Sequence, residues 1–181
     1  MYNTDISALI YKQFISGKFI NKTILDNSDK DVLNADFMEV DSNFDEYRQQ
    51  YEMIGYELIH ATSYMYIRER TLPKEDFKND ITLKASLLLL MMGKYLNDNN
   101  YRLTKLTDPT GGFSQQDIAQ MQEYPDNQEL ITKAKLSLDL NAEINTILVK
   151  RGIAQEKVAT SDIILTDAGK AFFENIVKAF V

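Results

Sequence analysis

The stretch GYELIHATSYMYIRER, residues 55–70, decides how the first half of this chain folds. β-Branched and aromatic residues dominate both of its halves, a composition that suits a pleated, half-buried strand. The polar break Ala61-Thr62-Ser63 is short enough to join the halves as an antiparallel hairpin. Along the second half, Tyr64, Tyr66, Arg68 and Arg70 share one face, and Met65, Ile67 and Glu69 share the other. A two-stranded ribbon is marginal alone in water, so it must lean on neighbouring helices.

Those helices are legible upstream. Asp5 can cap a helix whose apolar residues Ile6, Leu9, Ile10 and Phe14 recur at helical spacing, and Gly17 stands where it should stop. Lys18-Phe19-Ile20 is a short extended piece. Asn27 or Ser28 is expected to cap a second, short helix through Val32 and Leu33 toward Phe37. Asp41 or Ser42 caps a third, with Phe44, Tyr47, Tyr51 and Ile54 on one face and Gly55 at its end. Helix, short strand, helix, helix, strand, strand is the order of a winged helix, with residues 55–70 as its wing.

Pro73, which lacks a backbone donor, interrupts the ribbon and marks a boundary. A second round follows. Asp80 can cap a long helix to about Leu96, and its middle, Leu87 to Met92, is apolar on every side and so expected to be buried. Residues 107–112, TDPTGG, form a turn-rich loop. Ser114 and Asp117 have the spacing of a capping box for a helix that buries Ile118 and Met121 together with the preceding Phe113, and Tyr124-Pro125-Asp126 breaks that helix. Residues 127–151 form one helix or two, with a junction near Leu138 to Asn141. Ile153 to Val158 and Ile163 to Thr166 make a second hairpin, and Thr166 or Asp167 starts a last helix. The expected fold class is mostly α with small β-hairpins, arranged as two tandem winged-helix domains, 1–72 and 73–181.

Composition excludes several functions. The chain has no cysteine and one histidine, so disulfides, thiolate metal sites and thiol nucleophiles are impossible and a zinc site is not expected. A cysteine-free chain suits a reducing cytoplasm. No signal peptide is expected, and the longest apolar run falls far short of the roughly 20 residues that cross a bilayer. No cofactor motif is recognisable: Thr110-Gly111-Gly112-Phe113 precedes a helix start but lacks the Gly-Lys-Ser/Thr of a P-loop. Asp26-x-x-Asp29-x-Asp31 lacks the glycine and glutamate of a calcium loop, and a solvated acidic surface is the plainer reading. His60, at a strand end, reads as a hydrogen-bonded structural histidine rather than the centre of a hydrolase.

Net charge is −7, with an isoelectric point near 4.8, so the average field repels nucleic acid. Between Asp26 and Glu46 eight acidic residues face a single Lys30, a surface that could attract a basic partner. The third helix of the first half exposes Asp45, Glu46, Arg48, Gln49 and Glu52, a poor reader of phosphate-flanked bases. The second half offers Lys133, Lys135, Lys150, Arg151 and, on its wing, Lys157 for weak, non-specific DNA contact. The rival class is a winged-helix transcription regulator using residues 126–166.

Several pieces, in order, resemble the small winged-helix subunits of bacterial condensins, the MukE and MksE proteins. Ser16-Gly17-Lys18-Phe19-Ile20 is similar to the family's Ser-Gly-Arg-His-Ile element. Phe44-Asp45-Glu46-Tyr47, Tyr51 and then Gly55 to Ala61 resemble its helix running into Val-Glu-Leu-Ile-Arg-Ala. Tyr64 to Arg70 resembles Phe-Phe-Tyr-Leu-Arg-Pro-Arg, and Phe113 to Ile118 resembles Phe-Thr-Gln-Gln-Glu-Leu. Glu69 replaces a proline, and MukE's long acidic tail is missing. The resemblance implies a non-catalytic, nucleoid-associated accessory subunit. It would form a homodimer and bind the kleisin subunit and, through it, an SMC ATPase, with no cofactor and no membrane. Aromatic and arginine side chains are enriched at interfaces, which points to Tyr64, Tyr66, Arg68 and Arg70 as the partner-binding face.

Overall fold

The computed structural model describes residues 4–70 and 80–180. The expected boundary at Thr71 to Lys74 lies outside the described residues.

Helix α1, Thr4–Ile15, buries Ile10 and Phe14 and leads into strand β1, Ile20–Asn21. Strands β4, Tyr56–His60, and β5, Tyr64–Glu69, form the hairpin expected at residues 55–70, with Leu58 opposite Ile67. β1 adds to it as a short third strand, in the order β1-β5-β4, with Ile20 opposite Met65. Helices α2, Ala35–Ser42, and α3, Phe44–Met53, close the other side. The first core is Ile10, Phe14, Phe37, Val40, Tyr47, Tyr51, Leu58 and Met65 with Ile20.

Two expectations are corrected. Asp41 and Ser42 do not cap α3: both lie in the last turn of α2, and α3 starts after Asn43 without a side-chain cap, because the two helices follow each other with a single residue between them. The larger difference lies upstream. Residues 27–33 are not helical. Strands β2, Thr23–Leu25, and β3, Asp31–Leu33, pair as an antiparallel ribbon, and the helix begins only at Ala35, capped by Asn34. The reason lies at Asp26. Its carboxylate accepts the amides of Ser28 and Lys30, at 2.7 and 3.0 Å, which satisfies a tight turn that competes with helix nucleation. Asp29 completes the turn in the left-handed region, at φ 56°.

The second core is built on α4, Asp80–Asp98, whose Leu88, Leu89, Met91 and Met92 are all but inaccessible. Full burial of such a side chain is worth about 1.5–3 kcal/mol. A single-turn helix α5, Thr104–Thr107, precedes the Gly111-Gly112 loop. Helix α6, Gln115–Glu123, starts on the expected capping box of Ser114 and Asp117. Helix α7, Pro125–Lys133, begins at the proline that ends its predecessor, a position where the missing amide costs nothing. Helix α8, Leu140–Ile144, is capped by Asp139 and continues as a π-turn, Asn145–Val149, burying Leu140, Ile144, Ile147 and Leu148. Strands β6, Ala154–Glu156, and β7, Ile163–Leu165, form the second hairpin, and α9, Asp167–Phe180, closes the core with Phe173 and Ile176. Phe113 bridges to Ile163, at the edge of β7 where β1 lies beside β5 in the first half.

The two cores meet along β1. Phe19 donates its amide to the Arg151 carbonyl at 2.8 Å and packs its ring on the second core. Asn21, 4% exposed, donates to the Gly152 carbonyl at 2.8 Å and accepts the Ala168 amide, in the first turn of α9, at 2.9 Å. Gly152 sits at φ 70°, and an added Cβ would lie 2.4 Å from the Phe19 carbonyl oxygen.

Candidate interaction surface

The alternation of β5 places Tyr64, Tyr66 and Arg68 on one side of the hairpin, and Arg70 follows the strand's last residue, its amide bonded to the Gly55 carbonyl. The tyrosine rings lie 6.3 Å apart and nearly parallel. Phe19 packs against both, with centroids at 5.9 and 5.2 Å. Because Phe19 also touches the second core, the aromatic end of this face serves partly to join the two halves. Burial raises the pKa of the Tyr66 hydroxyl, with Arg68 opposing and Tyr64 and Glu57 adding to the rise. Arg68 lies opposite Glu57 across the strands and forms an ion pair with it, which holds the guanidinium protonated. Arg70 is exposed at the far end. The four residues therefore follow one another along β5 and just past its end without forming one free patch: two rings half-buried, one paired cation, one exposed cation.

The five basic residues of the second half are also dispersed. Lys133 pairs with Glu129 one helical turn earlier. Lys135 lies past the end of α7 in the left-handed region. Lys150 lines a cleft of about 450 Å3 between α8 and the second hairpin, shared with Asp139 and Glu156. Arg151 stands at the junction of the halves, its guanidinium beside Gly17. Lys157 donates to the Gly111 carbonyl at 3.0 Å and lines a second, wider cleft of about 660 Å3 with Arg102, Lys105 and Thr160. Asp108 and Asp162 share that wall.

His60 bonds Asp41 of α2 at 2.8 Å and packs its ring on Phe37 and Phe44. It ties the tip of β4 to the helices, a packing role. Among the described residues no group of three or more histidine, aspartate or glutamate side chains is placed to hold a metal ion, and no helix is long and apolar enough to cross a membrane.

Sequence reasoning missed two sites. One is a polar cluster inside the second half. Asp117 accepts from Lys105 at 2.9 Å and from the Ser114 amide at 2.9 Å, and Tyr95 OH lies 2.6 Å from Gln120 Oε1. Burial pushes the Asp117 pKa up, but Lys105 and Ser114 more than offset it and hold the carboxyl below its usual range. Tyr95 is pushed up to about 12, by burial first and then by the Asp117 charge. The other is the β2–β3 ribbon, which reaches the second hairpin. Gln155 Oε1 accepts the Leu25 amide at 3.1 Å, and Asp29 accepts the Val158 and Ala159 amides at 2.7 and 3.3 Å. The turn chemistry of Asp26 to Lys30 was visible in sequence, but its distant partner was not.

The fold is mixed α and β: two helical cores, each with a small antiparallel hairpin. The family described as condensin complex protein MksE matches residues 5–177, and the chain belongs to that family. A search of curated proteins gave no match.

Proposed function

We infer that this chain is a non-catalytic accessory subunit of a bacterial condensin-like complex that binds the kleisin subunit and, through it, the SMC ATPase. The observation that carries this reading is the family match over residues 5–177. Further support comes from the element order. In each half a long helix, a short extended segment beside the hairpin's second strand, helices and a hairpin follow one another, as in a winged helix. On this reading residues 1–72 and 73–181 are tandem winged-helix domains, the subunit works as a homodimer on the nucleoid in the cytoplasm, and DNA contact is weak and non-specific. The kleisin meets the exposed end of the β5 face, at Arg70, with Tyr64, Tyr66 and Arg68 behind it.

The test is co-purification with the kleisin subunit. Association is expected at micromolar concentration. Arg70→Glu should weaken it about tenfold or more with no change in melting temperature, because the side chain is exposed and few interface residues dominate binding. No association between two folded partners would overturn the reading. The competing reading, a transcription regulator, requires tight sequence-selective binding to duplex DNA by the protein alone. The pairing of Lys133 with Glu129 and of Lys157 with Gly111 weighs against it.

A further inference from the structure

The tip of the second hairpin is built to hold an anion, and it already holds one from its own chain. The successive amides of Val158 and Ala159 converge on the Asp29 carboxylate, at 2.7 and 3.3 Å. Consecutive backbone amides aimed at one acceptor are the arrangement that binds phosphate oxygens elsewhere. Beside them opens the cleft of Arg102, Lys157 and Thr160, with Lys105 paired to Asp117 and with Asp108 and Asp162 on the same wall. Covering this tip is the most acidic ribbon of the molecule, with Asp26, Asp29 and Asp31 in and around its turn.

We propose that the β2–β3 ribbon is an autoinhibitory strap: the Asp29 carboxylate occupies the amides of Val158 and Ala159 that a DNA backbone phosphate takes when the strap lifts. The proposal rests on the reading that the second half touches DNA weakly, and it adds how that contact is regulated. DNA fits better than an acidic peptide because the exposed Arg102 opens onto a groove rather than a closed pocket; Lys157 in that groove donates to the Gly111 carbonyl, and Asp108 and Asp162 limit its positive charge, which keeps the contact weak. The latch is releasable because the Asp29 hydrogen bonds lie at the exposed surface, where water competes for both partners, and lifting the ribbon breaks only one further side-chain tie to the hairpin among the described residues, the Leu25 amide to Gln155 Oε1 at 3.1 Å. The halves need not separate when it opens, since the buried Asn21 bonds to Gly152 and Ala168 hold them together independently.

The experiment uses the full chain and a fluorescein-labelled random-sequence duplex, with binding followed by anisotropy across a salt series. Asp29→Asn removes the charge and weakens the latch. Glu52→Gln removes one charge from an exposed site on α3 and serves as the control. Amide exchange at Val158 and Ala159, followed by NMR, reports the latch itself. The strap predicts faster exchange at both amides, several-fold tighter DNA binding for Asp29→Asn than for Glu52→Gln, and a salt slope steeper by about one. Adding Arg102→Glu to Asp29→Asn should return binding to the wild-type level. Unchanged exchange would mean that the latch is not formed in solution and would overturn the strap alone. Faster exchange without tighter DNA binding, or a matched acidic peptide bound in preference to the duplex, would also overturn it. If neither the wild type nor Asp29→Asn binds duplex at low salt, the DNA-contact reading falls with it.

Discussion

Gly152 illustrates how one residue can carry a constraint that only its neighbours reveal. Its left-handed backbone already disfavours a side chain, and the Phe19 carbonyl oxygen fills the space that a Cβ would need. Gly152→Ala should therefore cost about 2–3 kcal/mol, read as a lower urea midpoint with an unchanged m-value. Asp117 makes a different argument. Its folded pKa is depressed, so its contribution is fully present above the unfolded value of 3.8 and is lost as pH falls through the folded value. Asp117→Asn should lower stability at neutral pH by about 1–2 kcal/mol, through the cap and the Lys105 pair. It should also flatten the loss of stability below about pH 4, measured by urea titrations across pH. The carboxylate's role as a cap was legible from Ser114 and Asp117. Its pairing with Lys105, twelve residues upstream, was not.

At the scale of elements, period and punctuation succeeded where one force dominated. The hairpin at residues 56–69, the long helix from Asp80 and the helices starting at Gln115 and Asp167 all follow from apolar periodicity and their caps. The β2–β3 ribbon failed that treatment because Val32, Leu33 and Phe37 match a helical spacing, while the Asp26 turn and the β-branched Thr23, Ile24 and Val32 match a strand pair. The ribbon wins because its turn is satisfied locally and its end is tied to Gln155 and Asp29's partners on the other half. Short elements are decided by such ties, since neither their length nor their own hydrogen bonds suffice.

Across the whole molecule the junction at β1 is the controlling feature. Asn21 is buried, and its carboxamide is shared between the Gly152 carbonyl and the first turn of α9. Asn21→Leu keeps the branched shape but strands the Ala168 amide, at a cost of about 1–3 kcal/mol. Faster hydrogen exchange is expected in the first turn of α9 and in β1, with α4 unaffected. If exchange rises equally everywhere, the substitution has destabilised the fold globally and the junction has no local role. The shared side of Tyr64, Tyr66 and Arg68 on β5 was legible from alternation, but the packing of Tyr64 and Tyr66 on Phe19 was not, because nothing in a strand's own period says which other segment covers it.

By itself the sequence determined the helical character, both hairpins, the Ser114–Asp117 capping box and the poverty of positive charge. Each depends on residues within a turn or two of one another, where spacing and side-chain chemistry are sufficient. Only the tertiary structure decided that Asn21, Gly152 and Ala168 meet, that Asp29 reaches the second hairpin and that the half-buried β5 tyrosines pack on Phe19. Those contacts join residues more than a hundred positions apart, or faces whose cover is supplied by another element, and no local pattern encodes such a pairing.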